Sequence, residues 1–262
     1  MIINFCKYNS LGNDFIIIDD RKDIFNTKNK PLINFLCDRH NGIGADGLIL
    51  VKKSINSDFE ILHFDPNGNL GSLCGNGSRC AVQLAYSKDF ISRKTSFTAF
   101  DGIHNAELLN NGLIKMDMKI NSNIIKNSYG TWVDTGSPHL VIEKANIDKL
   151  NVNNEGRLIR YNNYYKKDGV NVNFIEKISN DNFKIRTYER GVERETLACG
   201  TGSTASALCM FYLERTNSNS ITMQCKGGNL NIQFKSDNKY FKEVSIIGPA
   251  NFVFEGNINT KI

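Results

Sequence analysis

No stretch of this 262-residue chain approaches the roughly 18 consecutive apolar residues of a membrane span. Met1 to Ser10 carries Lys7 and several polar residues where an export signal needs a continuous apolar segment, so a cytoplasmic protein without a membrane partner is expected. No Cys-x-x-Cys occurs, five residues separate Cys74 from Cys80, and the four histidines (His40, His63, His104, His139) show no ligand spacing. Zinc therefore fits poorly, and no metal is expected. The glycine-rich turns lack both the Lys-Ser/Thr ending of a nucleotide loop and the complete G-x-G-x-x-G dinucleotide pattern. No basic stripe is present: the net charge is +5, but the lysines are scattered among Asn-rich polar stretches, which argues against nucleic acid as a partner. Low-complexity tracts and long linkers are missing as well.

What is present suits a globular domain with a sizeable core: 40% hydrophobic and 23% charged residues. Seven cysteines, an odd number in a chain without an export signal, argue for reduced thiols rather than a disulfide framework. Cys6, Cys37, Cys209 and Cys225 are expected to be small buried hydrophobes. Phe15-Ile16-Ile17-Ile18, opened by Gly12-Asn13-Asp14, reads as a buried strand with Asn13 at its mouth. Further strands are expected at 48–51, 59–64, 114–118, 140–142, 172–175, 183–188, 230–234 and 244–247. Two helices stand out, 78–86 and 204–213, the second apolar almost all round and so expected to be buried on most sides. Many strands around two internal helices imply an α/β or mixed α+β architecture.

Those helices share an entrance. Cys74-Gly75-Asn76-Gly77-Ser78 precedes the first and Cys199-Gly200-Thr201-Gly202-Ser203 the second, the same Cys-Gly-x-Gly-Ser pattern 125 residues apart (199 minus 74), close to half the chain. This spacing suggests an internal duplication. The expected halves are 1–124, carrying Cys74, and 125–262, carrying Cys199, with the boundary near the polar stretch Asn121 to Ser128 and the last strand able to return to the first half.

A thiol placed just before a helix's first turn feels the positive end of the aligned peptide dipoles and accepts hydrogen bonds from N–H groups that have no intrahelical partner. Its pKa falls from about 8.5, making thiolate accessible near neutral pH. Gly75, Gly77, Gly200 and Gly202 let an anion such as a carboxylate approach the backbone closely. Two such sites facing one substrate give a racemase geometry, in which one cysteine removes an α-proton and the other returns a proton to the opposite face. One Cys-Gly-x-Gly alone is more often a structural turn; the second copy reverses that reading. Asn13, Asn171, Asn173 and the Glu189-Arg190-Gly191 corner offer polar lining, a carboxylate suiting an ammonium and a guanidinium suiting a carboxylate. Turn chemistry explains the asparagines equally well. His139, after Gly136-Ser137-Pro138, could tune a cysteine or cap a turn, and the turn is the favoured reading.

These residues resemble a known family, the diaminopimelate epimerases, within the racemases that work without pyridoxal phosphate. The resemblance runs in order along nearly the whole chain: Lys7-Tyr8-Asn9-Ser10-Leu11-Gly12-Asn13-Asp14-Phe15, Arg39-His40-Asn41-Gly42-Ile43-Gly44-Ala45-Asp46-Gly47, the segment from Leu73 to Cys80, Gly136-Ser137-Pro138-His139, Val170-Asn171-Val172-Asn173-Phe174, and the run from Tyr188 to Gly202. It implies two similar, pseudo-twofold-related domains, each a curled mixed sheet around a central helix, with the active site in the cleft between them. It also implies conversion of LL-2,6-diaminopimelate to the meso form, without cofactor, for lysine and peptidoglycan synthesis. Cys74 and Cys199 would be the acid/base pair, and Gly75-Asn76 and Gly200-Thr201 would hold the reacting carboxylate. Asn13, Asn171, Glu189 and Arg190 would hold the rest of the substrate, and a homodimer that closes on substrate is expected.

The chain departs from the commonest family pattern at three places. Asp65 stands where Asn is usual, bringing a carboxylate that would repel the distal carboxylate of the substrate; Ser137 replaces an Asn; and the turn 190–196 is one residue longer. A racemase for another amino acid with the same mechanism is therefore one alternative, and a thiol redox or metal-binding protein using Cys74 and Cys199 is another. The two-thiol reading makes a direct prediction. Mild oxidation should join Cys74 to Cys199 and abolish epimerisation, and reductant should restore it; activity that survives oxidant rules the geometry out.

Overall fold

The computed structural model describes residues 2–237 and 240–260; Met1 and Ile262, which bound the expected halves, lie outside the described residues. Two compact units emerge, the first formed by Met1–Met116 with Gly248–Ile262 and the second by Asp117–Ile247. The first unit contains β1 (Ile2–Ser10), β2 (Asn13–Asp19), α1 (Lys30–Cys37), β3 (Gly47–Lys52), β4 (Phe59–Phe64), α2 (Gly75–Ser87), β5 (Lys94–Ala99), β6 (Gly102–Leu108) and β7 (Ile114–Asp117). The second contains β8 (Ile125–Asn127), β9 (Gly130–Asp134), β10 (Pro138–Glu143), α3 (Val152–Arg160), β11 (Asn171–Lys177), β12 (Asn182–Glu189), β13 (Arg194–Thr196), α4 (Gly200–Tyr212), β14 (Ser220–Cys225), β15 (Gly228–Asp237) and β16 (Tyr240–Gly248). The closing strand, β17 (Asn251–Asn259), pairs antiparallel with β1 and so completes the first unit.

The pairing of strands repeats from unit to unit. In the first unit the order is β17, β1, β2, β3, β4, β5, β6, β7, with parallel pairs at β2–β3 and β4–β5 and antiparallel pairs elsewhere. In the second it is β8, β9, β10, β11, β12, β14, β15, β16, with parallel pairs at β10–β11 and β12–β14 and antiparallel pairs elsewhere. Each parallel pair needs a crossover. The crossovers match too: α1 and α3 fill the first of each unit, α2 and α4 the second. A repeated pattern of antiparallel and parallel neighbours with helices at the same two crossovers is what a duplicated gene would leave behind. The topology is permuted only in that the strand equivalent to β8 is supplied by the end of the chain.

α2 and α4 are the internal helices. α2 lies against β1, β2, β3, β4 and β17, and every residue from Gly75 to Val82 is buried. α4 lies against β9, β10, β11, β12, β14 and β15 and is buried from Gly202 to Met210. α4 has almost no polar face and cannot rest on a surface, so its sheet curls around it, while α2 buries the polar Asn76, Ser78 and Arg79 beside its apolar residues. The surrounding core is close-packed. Phe59, Phe97 and His104 stack in sequence at 5.6 and 5.5 Å between ring centroids, and Phe59 and Phe97 are fully buried. Each such phenylalanine contributes roughly 1.5–3 kcal/mol by leaving water. α1 and α3 are short and begin at asparagine caps, Asn29 accepting from the Leu32 N–H and Asn151 from the Asn154 N–H, both at 3.1 Å.

No disulfide joins any of the seven cysteines. Cys6, Cys37 and Cys209 are buried as expected, and burial pushes the Cys37 thiol up to about 12. Cys225 corrects the expectation: it ends β14 half-buried, with its sulfur 3.5 Å from the Ser203 hydroxyl, because the strand runs out of the core at that point.

Candidate active site

The two internal helices open in the same way. Cys74 is the N-cap of α2 and its sulfur receives the Gly77 N–H at 3.5 Å; Cys199 is the N-cap of α4 and its sulfur receives the Gly202 N–H at 3.4 Å. Both caps have extended backbone, the conformation that lets a side chain fold back over the first turn. Sulfur replaces the usual hydroxyl or carboxylate oxygen, so the N–H that would satisfy a cap here favours thiolate. The glycine three residues on leaves room at each helix entrance. A methyl group on Gly202 would sit 2.5 Å from Asn173 Oδ1 and 3.3 Å from the Cys199 sulfur, and one on Gly77 would sit 2.7 Å from Ile49 Cδ1.

In the first unit the structure gathers Cys74, Gly75, Asn76 and Asn13. Asn13 stands at the mouth of β2; its Oδ1 receives the Cys74 thiol at 3.7 Å and the Asn76 amide at 3.4 Å. Asn76 is oriented in turn by buried Arg79, whose Nη2 donates to Asn76 Oδ1 at 2.6 Å and to the Ser10 hydroxyl at 2.8 Å. Beside Asn13 lies a cluster of charges. Lys7 pairs with Asp14 at 2.7 Å, and Arg39 reaches both Asp14 at 2.6 Å and Asp46 at 2.9 Å. Burial works to raise the Asp14 pKa, but hydrogen bonds from Arg39 and Lys7 outweigh it and hold the carboxyl well below the usual range. A cavity of about 220 Å³ opens next to Cys74, lined among others by His63, Leu70, Ser72, Ser78 and Phe100.

The second unit gathers Cys199, Thr201, His139 and Asn173, with Glu189 close by. Asn173 donates to His139 Nδ1 at 3.1 Å and to the Leu140 carbonyl at 3.1 Å, while its Oδ1 receives the Thr187 hydroxyl at 3.0 Å. An acceptor at Nδ1 puts the imidazole proton on Nε2, which donates to Thr201 Oγ1 at 2.9 Å. Thr201 then has its own proton for the Cys199 sulfur, 3.5 Å away. Burial, seconded by the charge of Arg190, pushes the His139 pKa down to about 3, so the ring stays neutral. The reading of His139 as a turn cap is thus corrected: it lies in β10, fully buried. Burial raises the Cys199 pKa, and the charge of Glu189, which also hydrogen-bonds the thiol, adds to this. Thr201 and the Gly202 N–H pull the other way.

Other expected residues are drawn into their own scaffolding. Asn171 donates to Ser137 Oγ and to the Pro138 carbonyl, both at 3.0 Å, and its Oδ1 receives the Arg190 N–H at 2.9 Å, so it fixes the corner carrying Arg190. The Arg190 guanidinium donates to the Asp168 carbonyl at 2.7 Å, and Glu189 receives the Thr196 hydroxyl at 2.9 Å. Asp65 engages one oxygen in its own turn, receiving the Asn67 and Asn69 N–H groups at 2.8 and 3.0 Å. Within the turn 190–196, Glu193 takes up the left-handed conformation at φ 58°. Thr187 was missed by sequence reasoning, and nothing in its local pattern marks it. Among the described residues no group of three or more His, Cys, Asp or Glu is arranged to hold a metal ion.

The diaminopimelate epimerase family model matches residues 5–120 and 131–253. A diaminopimelate epimerase of Flavobacterium psychrophilum is 45% identical over 252 residues, covering 96% of this chain and 98% of that protein. The diaminopimelate epimerase of Aquifex aeolicus is 36% identical, covering 99% of each chain. Among solved structures, a phenazine biosynthesis protein of the PhzF family from Bacillus anthracis superposes with a TM-score of 0.74 at 15% identity, covering 99% of this chain and all of that one. A hydroxyproline epimerase from Agrobacterium vitis gives 0.68 at 12% identity, covering 98% and 92%. At such identities these two establish the fold, mixed α+β and dominated by its sheets.

The electrostatics of His139 set a pH dependence. Its folded pKa lies below the ordinary value, so the unfolded chain binds the additional proton, and stability is complete above about pH 6.5 and lost as pH falls toward 3. Between pH 7 and pH 5 the loss should be about 2 kcal/mol. Urea unfolding at the two pH values checks this, and His139→Gln should remove that share of the difference.

Proposed function

The chain belongs to the diaminopimelate epimerase family, isomerases that interconvert LL- and meso-diaminopimelate in lysine synthesis, and we propose that Cys74 and Cys199 carry out the inversion in this protein without a cofactor. One cysteine as thiolate takes the α-proton from one face of the reacting carbon. The other, as thiol, gives its proton to the opposite face, and the roles exchange in the reverse direction. The observation that carries this reading is the double placement of a thiol at the N-cap of an enclosed helix, each sulfur receiving the N–H of a glycine three residues on. Gly75 with Asn76 and Gly200 with Thr201 supply helix-end backbone for the reacting carboxylate, where negative charge accumulates as the proton leaves.

Glu189 couples binding to chemistry. Its charge opposes a thiolate at Cys199, and a substrate ammonium paired with it neutralises that opposition, so substrate arrival makes the thiolate easier to form. Asn171 holds the corner from which Arg190 meets the distal carboxylate, a planar pairing suited to a guanidinium. Asn13 lines the site at Cys74. The product serves lysine and peptidoglycan synthesis, and the enzyme works in the cytoplasm, where thiols remain reduced.

The test is incubation with LL-diaminopimelate in heavy water without added cofactor. Deuterium should enter the α-position together with appearance of the meso isomer, and Cys74→Ser or Cys199→Ser should slow turnover at least 100-fold with the fold retained. No exchange in reduced, folded protein would sink the reading. The chain is also proposed to act as a homodimer through β17, where Phe252, Val253 and Phe254 are 53%, 53% and 45% exposed. Sedimentation should give a dimer that Val253→Asp with Phe254→Asp converts to monomer; a wild-type monomer refutes it.

A further inference from the structure

Asp46 has no role in the chemistry described above, yet it touches the residue that touches Cys74. Asn13 Nδ2 donates to Asp46 Oδ2 at 2.9 Å. An amide is ambiguous until its partners fix it, and here the partner is a carboxylate, which only accepts. The nitrogen must therefore face Asp46, and the carbonyl oxygen must face α2, where it meets the Cys74 thiol and the Asn76 amide. Asp46 is itself held. The Asp14 N–H reaches the same Oδ2 at 3.3 Å, and Arg39 Nη2 donates to the other oxygen, Oδ1, at 2.9 Å. The second unit solves the matching problem in the same place. Asn173 on β11 fixes His139 on β10, as Asp46 just ahead of β3 fixes Asn13 on β2.

We propose that Asp46 is a positioning residue for the epimerisation, its carboxylate locking the Asn13 side chain with the carbonyl turned to the Cys74 sulfur. This rests on the reading of Cys74 as an acid/base group. An acceptor aimed at the sulfur favours the protonated thiol and opposes the N–H of Gly77, so the lock sets how readily Cys74 gives up its proton. The charged and titratable groups described around this thiol are Lys7, Asp14, Arg39 and Asp46 beside Asn13, Arg79 and Cys80 on α2, and Glu60 and His63 in the lining of the cavity. Removing Asp46 also removes a charge, so the test must separate charge from hydrogen bonding. Asparagine does so. Its oxygen belongs at the Oδ2 position, where two donors converge, and it keeps Asn13 in place with no charge.

The experiment is alkylation of Cys74 by iodoacetamide across pH, followed by mass spectrometry of the Cys74 peptide in a Cys199→Ser background so that one thiol of the pair titrates alone. Asp46→Asn should alkylate at pH 7 like the parent. Asp46→Leu, of nearly the same shape with no acceptor, should alkylate about three- to tenfold faster, because the thiolate is then more readily formed. Asp46→Ala should agree with the leucine variant and replaces it should that fail to fold. Equal rates for the asparagine and leucine variants, whether changed or unchanged from the parent, overturn the proposal, because charge or nothing at all would then be what Cys74 senses. Thiol reactivity needs no substrate. A failure of deuterium exchange would therefore count against the epimerase reading and leave this result standing, and the converse holds as well.

Discussion

A helix wrapped on most sides by its own sheet can meet a solute at its open N-terminus, where the backbone N–H groups have no carbonyls to bond within the helix. α2 and α4 are both enclosed in this way, and both begin at a cysteine. Much follows from that placement. The glycine three residues after each thiol suits an entrance crowded by strand side chains, Asn173 at Gly202 and Ile49 at Gly77. The side chains that modulate the thiols come from neighbouring strand mouths, since those are the positions from which a side chain can reach the cap.

The entrances are alike in backbone and different in surroundings. Cys74 is approached through Asn13 from a cluster of two cations and two carboxylates, in which Arg39 is half exposed and Lys7 and Asp14 are largely buried. Cys199 is approached through a neutral, buried chain from Asn173 through His139 to Thr201, with a carboxylate, Glu189, at its side. A duplicated backbone thus carries two chemically distinct helix entrances.

The departures from the commonest family pattern take on a physical meaning once the turns are seen. Asp65 accepts two backbone N–H groups from its own turn, an arrangement asparagine would also support through its side-chain oxygen, so the change alters charge more than shape. Ser137 keeps an acceptor for the Asn171 amide, and that contact helps to aim the corner bearing Arg190. Each substitution preserves a hydrogen bond that organises backbone.

Much of this was legible in the sequence. The long apolar runs at β2, β3, β4, β11 and β12 and the two internal helices announce themselves through β-branched runs and continuous apolar character, and the repeated Cys-Gly-x-Gly-Ser marked both helix entrances. β1, β17 and the asparagine-capped α1 and α3 were not foreseen, because their patterns are short or mixed and asparagine is too common in this chain to serve as a signal. Local sequence determined which residues carry the chemistry and which backbone presents them, since capping and dipole effects act over a single helical turn. Tertiary structure alone decided what each thiol senses. Asp46 meets Asn13, and Asn173 meets His139, across strands 33 and 34 residues apart, and the direction of a buried hydrogen bond is fixed by partners that only the assembled sheet brings within reach.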